Sequence, residues 1–502
     1  MSDATADERS GHLVRQMGLW GLTATGICSM LGASVYVVPF MIQRDVPGIG
    51  TYVLPAFLFA AIPALLAAFA YAILASAMPR AGGSYIYASR GLNPYLGFIA
   101  SFSQWFGLSI VIGVIAYIIV PFVRDIALGM EWLALADLLE QGTVRVSLAL
   151  AMIWGFVFIN ILGATFYQRT LIPLMVIMFA LGAIVVIAGL LYDHADFALA
   201  LTETEGRSVP PTGSQTLNLP VFLSASALLF ASFIGFDSIA QAGGEAKNPT
   251  RSLPLAIGLA ICIVGCFYIL VTYAVYHAVP WTFIAQEAME KDISAPGMLS
   301  YLLPDSLAVA ILVGAAIALI NDLPAMLLSV SRLMFAWAED GIFPGYIARI
   351  HRRYHTPHIA LVASGAIASV GIFGSHFAGD FFLGIDIMVT AMMVNFLLMC
   401  VTLISLPRVN PVLAARIAII KNRSLQLLLG WLGVAFLSSF LVAQIWKDLS
   451  GETAAWYFHS TPVWLIVMAL GSTVFFYKVR ILKRTGINTK TLFTTLPGDS
   501  SP

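Results

Sequence analysis

Twelve apolar stretches follow one another along the chain, at roughly residues 17–40, 51–77, 95–123, 147–165, 170–192, 219–243, 254–280, 306–338, 358–377, 381–405, 426–446 and 461–479. A helix rises about 1.5 Å per residue, so about 20 apolar residues cross the hydrocarbon core of a bilayer. No water satisfies the backbone there, so such stretches fold as packed helices. The pattern predicts an all-α membrane protein with twelve transmembrane helices. Composition agrees: 10% of residues are charged, against about 25% in a soluble domain. The net charge is zero, which removes the electrostatic case for a nucleic-acid partner.

The four cysteines, Cys28, Cys262, Cys266 and Cys400, all lie in apolar stretches. Cys262 and Cys266 sit one helical turn apart, but no His or carboxylate is near enough in sequence to complete a metal site, and they read as small packing residues. His351, His355 and His358 fall in the basic run RIHRRYHTPH, which reads as a solvated loop near anionic lipid. The opening MSDATADERSGHLVRQMG is polar and mixed in charge. It reads as a tail over 1–16, not as a cleavable signal. A second tail is expected over 481–502. Of the 26 Lys and Arg, 20 fall on the side of both tails and six on the other. The positive-inside rule then places both tails in the cytoplasm.

Two of the stretches carry weak points. In FIGFDSIAQAGGEAKNP, Gly235 and Asp237 interrupt an apolar run in the sixth span. A carboxylate at mid-span costs at least ~2.5 kcal/mol to insert, so it faces protein or a water-filled cavity. In GICSMLGASVYVVP, Gly26, Gly32 and Pro39 interrupt the first span. A packing seam of small residues explains either stretch alone. Two glycine-interrupted spans five apart point instead to a transporter of two inverted repeats, with broken helix ends aimed at substrate and ion.

With these runs the chain resembles the amino acid–polyamine–organocation permeases over nearly its whole length. GICSMLGASVYVVP is similar to that family's first span, and PRAGGSY (79–85) to the loop after its second. FIGFDSIAQAGGEAKNPTRSLPLAI is similar to its sixth span, and SVSRLMFAWAEDGIFPGYIARIHRRYHTP to its eighth. The resemblance implies a LeuT-like five-plus-five inverted repeat, about 17–192 and 219–405. Two additional C-terminal helices follow at about 426–479, and spans 1 and 6 are interrupted. Substrate contacts are then expected around Met30, Leu31, Gly32, Ala33 and Ser34, and around Ile234, Gly235, Phe236 and Asp237. Trp105, Phe230 and Phe236 are expected to close over the substrate, although packing alone also accounts for aromatic side chains. The family usually has Gly-Ser-Gly or Gly-Ala-Gly in the first span, so Ser34 narrows the approach of a substrate carboxylate. Arg80, Glu245 and Lys247 are read as an inner-loop network, either charge pairing that holds the loops or a gate. Gly244 stands where the family often has a second Glu.

Three carboxylates are expected at membrane depth. Asp237 suits a substrate amine or a gating proton, against the plainer reading of a helix cap or a partner for Ser224 or Ser226. Asn321 and Asp322 stand where sodium-coupled relatives carry two hydroxyl residues, and Met178 stands where some proton-coupled relatives carry a lysine. Asp322 is therefore the expected coupling residue, against a satisfied helix break before Pro324. Asp386 lies near the outer end of the tenth span, where a surface role is expected.

The resulting expectation is a secondary transporter for an amino acid or related amine in the plasma membrane, of bacterial inner-membrane type. Proton-coupled symport is the first reading, and ion-independent exchange, sodium symport or a non-transporting sensor are the alternatives. No nucleotide motif is present, which argues against a primary pump. No cofactor, metal site or enzymatic activity is expected, and the sequence leaves the oligomeric state open.

Overall fold

The computed structural model describes residues 13–32, 35–211, 216–291, 293–378, 382–451 and 455–498. The first half comprises α1 (Leu19–Met30), α2 (Val38–Asp45), α3 (Val53–Ala77), α4 (Gly83–Gly91), α5 (Pro94–Gly129), α6 (Leu133–Glu140), α7 (Gly142–Ile161), α8 (Ala164–Leu191) and α9 (His194–Glu205). The second comprises α10 (Leu219–Leu229), α11 (Asp237–Gln241), α12 (Pro249–Ala278), α13 (Trp281–Glu290), α14 (Ala295–Leu299), α15 (Asp305–Glu339), α16 (His358–Ala378) and α17 (Phe382–Val409). There follow α18 (Pro411–Ala414), α19 (Arg423–Ser450), α20 (Ser460–Arg484) and α21 (Thr489–Leu492). Among the described residues, eleven helical stretches are long and apolar enough to cross a membrane. The remaining stretch, 17–40, is not one helix: α1 ends at Met30 and α2 begins at Val38.

Local chemistry sets the helix starts. Asn93 accepts the Tyr95 N–H at 2.9 Å ahead of Pro94 and opens α5. Asn422 does the same for α19, and Asp193 closes a capping box on α9. In each case a side-chain oxygen satisfies an orphan N–H of the first turn. Pro324 does not break α15, which runs unbroken from Asp305 to Glu339. This removes the reading of a helix break beside Asp322.

The segments between spans are more ordered than the sequence suggests. α4 lies between the second and third spans with all nine of its residues buried. α6, α9, α13 and α14 fill the longer connections. Beside α13, Arg207 reaches Glu287 at 2.6 Å, and Lys291 reaches the same carboxylate at 2.7 Å. Burial alone would raise the Glu287 carboxyl, but these two bonds hold it below the ordinary carboxylate range. This network therefore stabilises α13 fully above that range and weakens only as pH falls through the lowered value.

Asp386, near the start of α17, accepts the Gln444 amide of α19 at 3.1 Å and joins those two helices.

Candidate functional site

The two interruptions meet. The sixth span leaves α10 through a short 3-10 turn at Phe230–Phe233. It then turns at Gly235, whose φ is +134°. Only glycine adopts that conformation without strain. The turn brings Gly235 against the last turn of α1, where a Cβ on it would stand 2.1 Å from the Ser29 carbonyl oxygen. Ser29 and Ser238 hydroxyls bond across the same junction at 2.9 Å. From the other side Tyr268 of α12 donates to the Met30 carbonyl at 2.8 Å. A helix end leaves carbonyls unpaired, and this phenol satisfies one of them.

Asp237 begins α11 and is fully buried. Its Oδ1 accepts the Gly235 N–H at 3.2 Å, and its Oδ2 accepts the Gln104 side-chain amide. Asp237 therefore does not cap α11, which has no side-chain cap, and the partners of its carboxylate are Gly235 and Gln104, not Ser224 or Ser226. Ser226 donates to the Phe222 carbonyl of its own helix. Gln104 extends the contact through the core. Its Oε1 accepts from Ser84 of α4 at 2.5 Å, Gln241 of α11 at 3.2 Å and Asn395 of α17 at 3.3 Å. Asn395 in turn donates to the Tyr71 hydroxyl of α3 at 2.6 Å. One amide of α5 therefore ties α4 and α17 to the carboxylate of α11 at the sixth-span break, and Asn395 extends the link to α3. Gln104 lies next to Trp105 in an otherwise apolar stretch, and its buried amide was the one signal that could have singled it out.

Asp322 lies at the middle of α15 and faces the first break. A Cβ on Gly32 would stand 2.8 Å from its Oδ2. The neighbouring Asn321 donates to the Cys28 sulfur of α1 at 2.9 Å and to the Leu171 carbonyl of α8 at 3.4 Å. Asp322 Oδ1 and Asn321 Oδ1 are both buried and accept no hydrogen bond. Neither Asp237 nor Asp322 has an ion-pair partner among the described residues.

Met30, Leu31, Gly32, Phe230, Ile234, Gly235 and Phe236 are all buried at this junction. Ala33 and Ser34 lie outside the described residues. Phe236 stacks on Phe396 of α17 at 4.9 Å, and Phe230 meets the same ring edge-on at 6.1 Å. Trp105 does not join them. It stacks on Phe102 at 5.3 Å and meets Trp337 at 5.7 Å, in a separate cluster between α5 and α15. A residue one place from Gln104 on a helix points about 100° away from it, which is why the two neighbours part.

The three inner-loop residues separate. Glu245 forms a buried pair with Arg332 of α15 at 2.6 Å. Arg80 donates to the Pro497 carbonyl at 2.9 Å. The Lys247 side chain is exposed and forms no ion pair among the described residues, while its backbone N–H bonds Met17 at 2.8 Å. A second buried pair, absent from the sequence reading, joins Arg90 of α4 to Asp340 through two bonds of 2.5 and 2.8 Å, with Tyr85 adding a third at 2.5 Å. Removing one partner of a buried pair strands the other charge, at about 3–5 kcal/mol. Glu245→Ala is expected to lower the Tm of the purified protein by several degrees. Replacing Glu245 and Arg332 together by methionine is expected to restore most of it. An unchanged Tm in the single variant would contradict the pairing.

Residues 17–470 match the family described as amino acid permease, and the chain belongs to that family. It is 25% identical over 295 residues to the low-affinity putrescine importer PlaP of Escherichia coli, covering 59% of this chain and 61% of the importer. It is 31% identical over 160 residues to the mitochondrial cationic amino acid transporter 3 of Arabidopsis thaliana, covering 32% and 26%. An uncharacterized transporter of Mycobacterium bovis is 26% identical over 365 residues, covering 71% and 73%. The chain therefore aligns with about three fifths of the importer's length and about a quarter of the plant transporter's.

Proposed function

We propose that the protein is a secondary transporter for a cationic amine or amino acid, driven by coupled uptake of a proton. One observation carries this reading: two carboxylates, Asp237 and Asp322, are buried at the two helix breaks with no basic partner among the described residues. An ionised carboxylate is not buried alone, so each holds a proton or a cation. The names of the importer and the plant transporter, both of cationic substrates, agree in charge class. Both oxygens of Asp237 already accept bonds, so a substrate amine would exchange for one of them. Oδ1 of Asp322 accepts none, which makes Asp322 the coupling position.

The helix packing supports the five-plus-five repeat. α8 packs on α12 and α15, and α17, five spans later, packs on α3 and α5. α7 packs on α5 and α15, and α16 on α15 and α5. α1 packs on α12, and α10 on α3. Partners thus exchange when every span is advanced by five. Because successive spans alternate in direction, an odd offset makes the two halves inverted. The proposed repeats are residues 17–192 and 219–405, with both tails in the cytoplasm.

Uptake into proteoliposomes, with labelled amines and amino acids of each charge, tests the reading. An imposed proton gradient, a sodium gradient or internal substrate alone separates symport from exchange. Concentration of a cationic substrate by the proton gradient is the expected result, and uptake only against internal substrate would make the protein an exchanger. In the same assay Asp237→Asn is expected to shift the pH profile or the charge preference at least tenfold. Asparagine would set its NH2 against either the Gln104 NH2 or the Gly235 N–H, and turning Gln104 would unpair Ser84, Gln241 and Asn395. A charge-assisted hydrogen bond contributes about 1.5–3 kcal/mol. Unchanged pH profile and charge preference would leave Asp237 a structural tie between Gly235 and Gln104.

A further inference from the structure

The segment after α20 folds back over the bundle. α21 is capped by Asn488, and the residues that follow lie along the loop after α3, the end of α4 and the end of α17. Arg80 donates to the Pro497 carbonyl at 2.9 Å and Arg90 to the Thr495 carbonyl at 3.2 Å. Asn410, just past α17, donates to the Thr494 carbonyl at 2.9 Å. Phe493 and Leu496 are buried at 5% and 2% exposure, as deep as core residues of the bundle. The Arg90 guanidinium lies 6.0 Å from the Phe493 ring. Two apolar anchors and side-chain bonds to the carbonyls of Leu492, Thr494, Thr495 and Pro497 make a fitted contact. The match to the permease family ends at residue 470, so this segment lies beyond what that match covers.

Behind it is a cavity of about 840 Å³. One wall is the segment itself, including Thr491, Leu492 and Leu496. The lining also includes Leu13, Gly244 and Ala338. Leu13 precedes α1, Gly244 follows α11 and Ala338 lies on α15, so the lining joins the ends of the two interrupted spans to α15. The Met17 carbonyl accepts from the Lys247 N–H at 2.8 Å and the Met17 N–H donates to the Glu245 carbonyl at 2.9 Å, which joins the N-terminal segment to the loop after α11.

We propose that residues 488–498 form a strap that holds this face of the transporter closed. Opening a path from the helix breaks to this face must part α11 and the N-terminal segment from α4 and α15. The strap ties α4 to the end of α17 and covers the space into which that path leads. It therefore favours the closed arrangement, and its release opens the face. The strap is bound through backbone carbonyls and two apolar side chains, so no chemical modification of the contact residues is required to release it.

This inference rests on the transporter reading for its consequence, but accessibility tests it without any substrate. Ala338→Cys places a thiol in the cavity, in a background with Cys262 and Cys266 replaced by alanine. Labelling by a membrane-impermeant maleimide is measured on the full-length protein in oriented proteoliposomes. Combining it with Phe493→Asp and Leu496→Asp is expected to raise the labelling rate at least tenfold. An added peptide of residues 488–498 is expected to lower it again. Asn410→Ala, which removes one bond and leaves the apolar anchors, is expected to give a smaller rise, and it serves if the double variant does not fold. Under the transporter reading, maximal transport rises while KM changes little. Labelling that is unchanged in both backgrounds, or raised but indifferent to the peptide, would overturn the strap whatever the substrate proves to be.

Discussion

Gly235→Ala is expected to abolish transport and to lower the Tm of the purified protein by more than any other single substitution at the junction. Two costs coincide. At φ +134° any side chain strains the backbone by about 1–3 kcal/mol. The added methyl would also stand 2.1 Å from the Ser29 carbonyl and 2.8 Å from the Met30 nitrogen. Both are backbone atoms at the end of α1, and they cannot turn away as a flexible side chain does. The two breaks would have to separate, taking the Ser29–Ser238 bond with them. The total places the substitution in the range above about 4 kcal/mol reserved for a few mechanisms, strain at a special φ among them. Differential scanning fluorimetry in detergent reads the stability, and proteoliposome uptake reads the function. Wild-type values in both would show that the first and sixth spans do not pack through this contact.

Asp322→Asn is expected to remove accumulation while leaving exchange. The amide keeps the size of the carboxyl and its place against Gly32, but it neither takes up a proton nor carries a charge. A gradient of one pH unit is worth about 1.4 kcal/mol, or about tenfold in concentration, per coupled proton. Wild-type vesicles under that gradient should approach that ratio, and variant vesicles should stop near equality. Exchange of labelled for unlabelled substrate requires no net ion movement and should persist within a few-fold. A variant that still concentrates substrate would remove Asp322 from the coupling role. If wild-type accumulation follows sodium instead, the same substitution tests a sodium site, because a hard cation also prefers a charged oxygen.

The chemistry of this protein was easier to read from its sequence than the geometry was. The length and apolarity of the stretches marked the long helices, with ends displaced by up to six residues, because hydrocarbon leaves a backbone no alternative. The stretches at Gly26–Pro39 and Ile234–Asp237 announced their interruptions through residues that weaken helices. Asp322 stood out because a carboxylate in the middle of a span is costly. What lay beyond the sequence depended on partners remote in the chain. α4 is polar enough to read as a loop, yet it is buried because α5, α11 and α17 surround it. Lys247 sits two places from Glu245, but Glu245 is paired with Arg332, 87 positions away.

Periodicity, apolar length and the cost of a buried charge are properties of local sequence. They determined the long apolar helices, the two weak points and the carboxylates at membrane depth. Only the tertiary structure decided that Gly235 rests on Ser29, that Asp322 faces Gly32 and that Gln104 gathers Ser84, Asp237, Gln241 and Asn395. Those contacts join segments tens to hundreds of residues apart. Each is set by which helix face meets which, and that depends on the packing of the whole bundle.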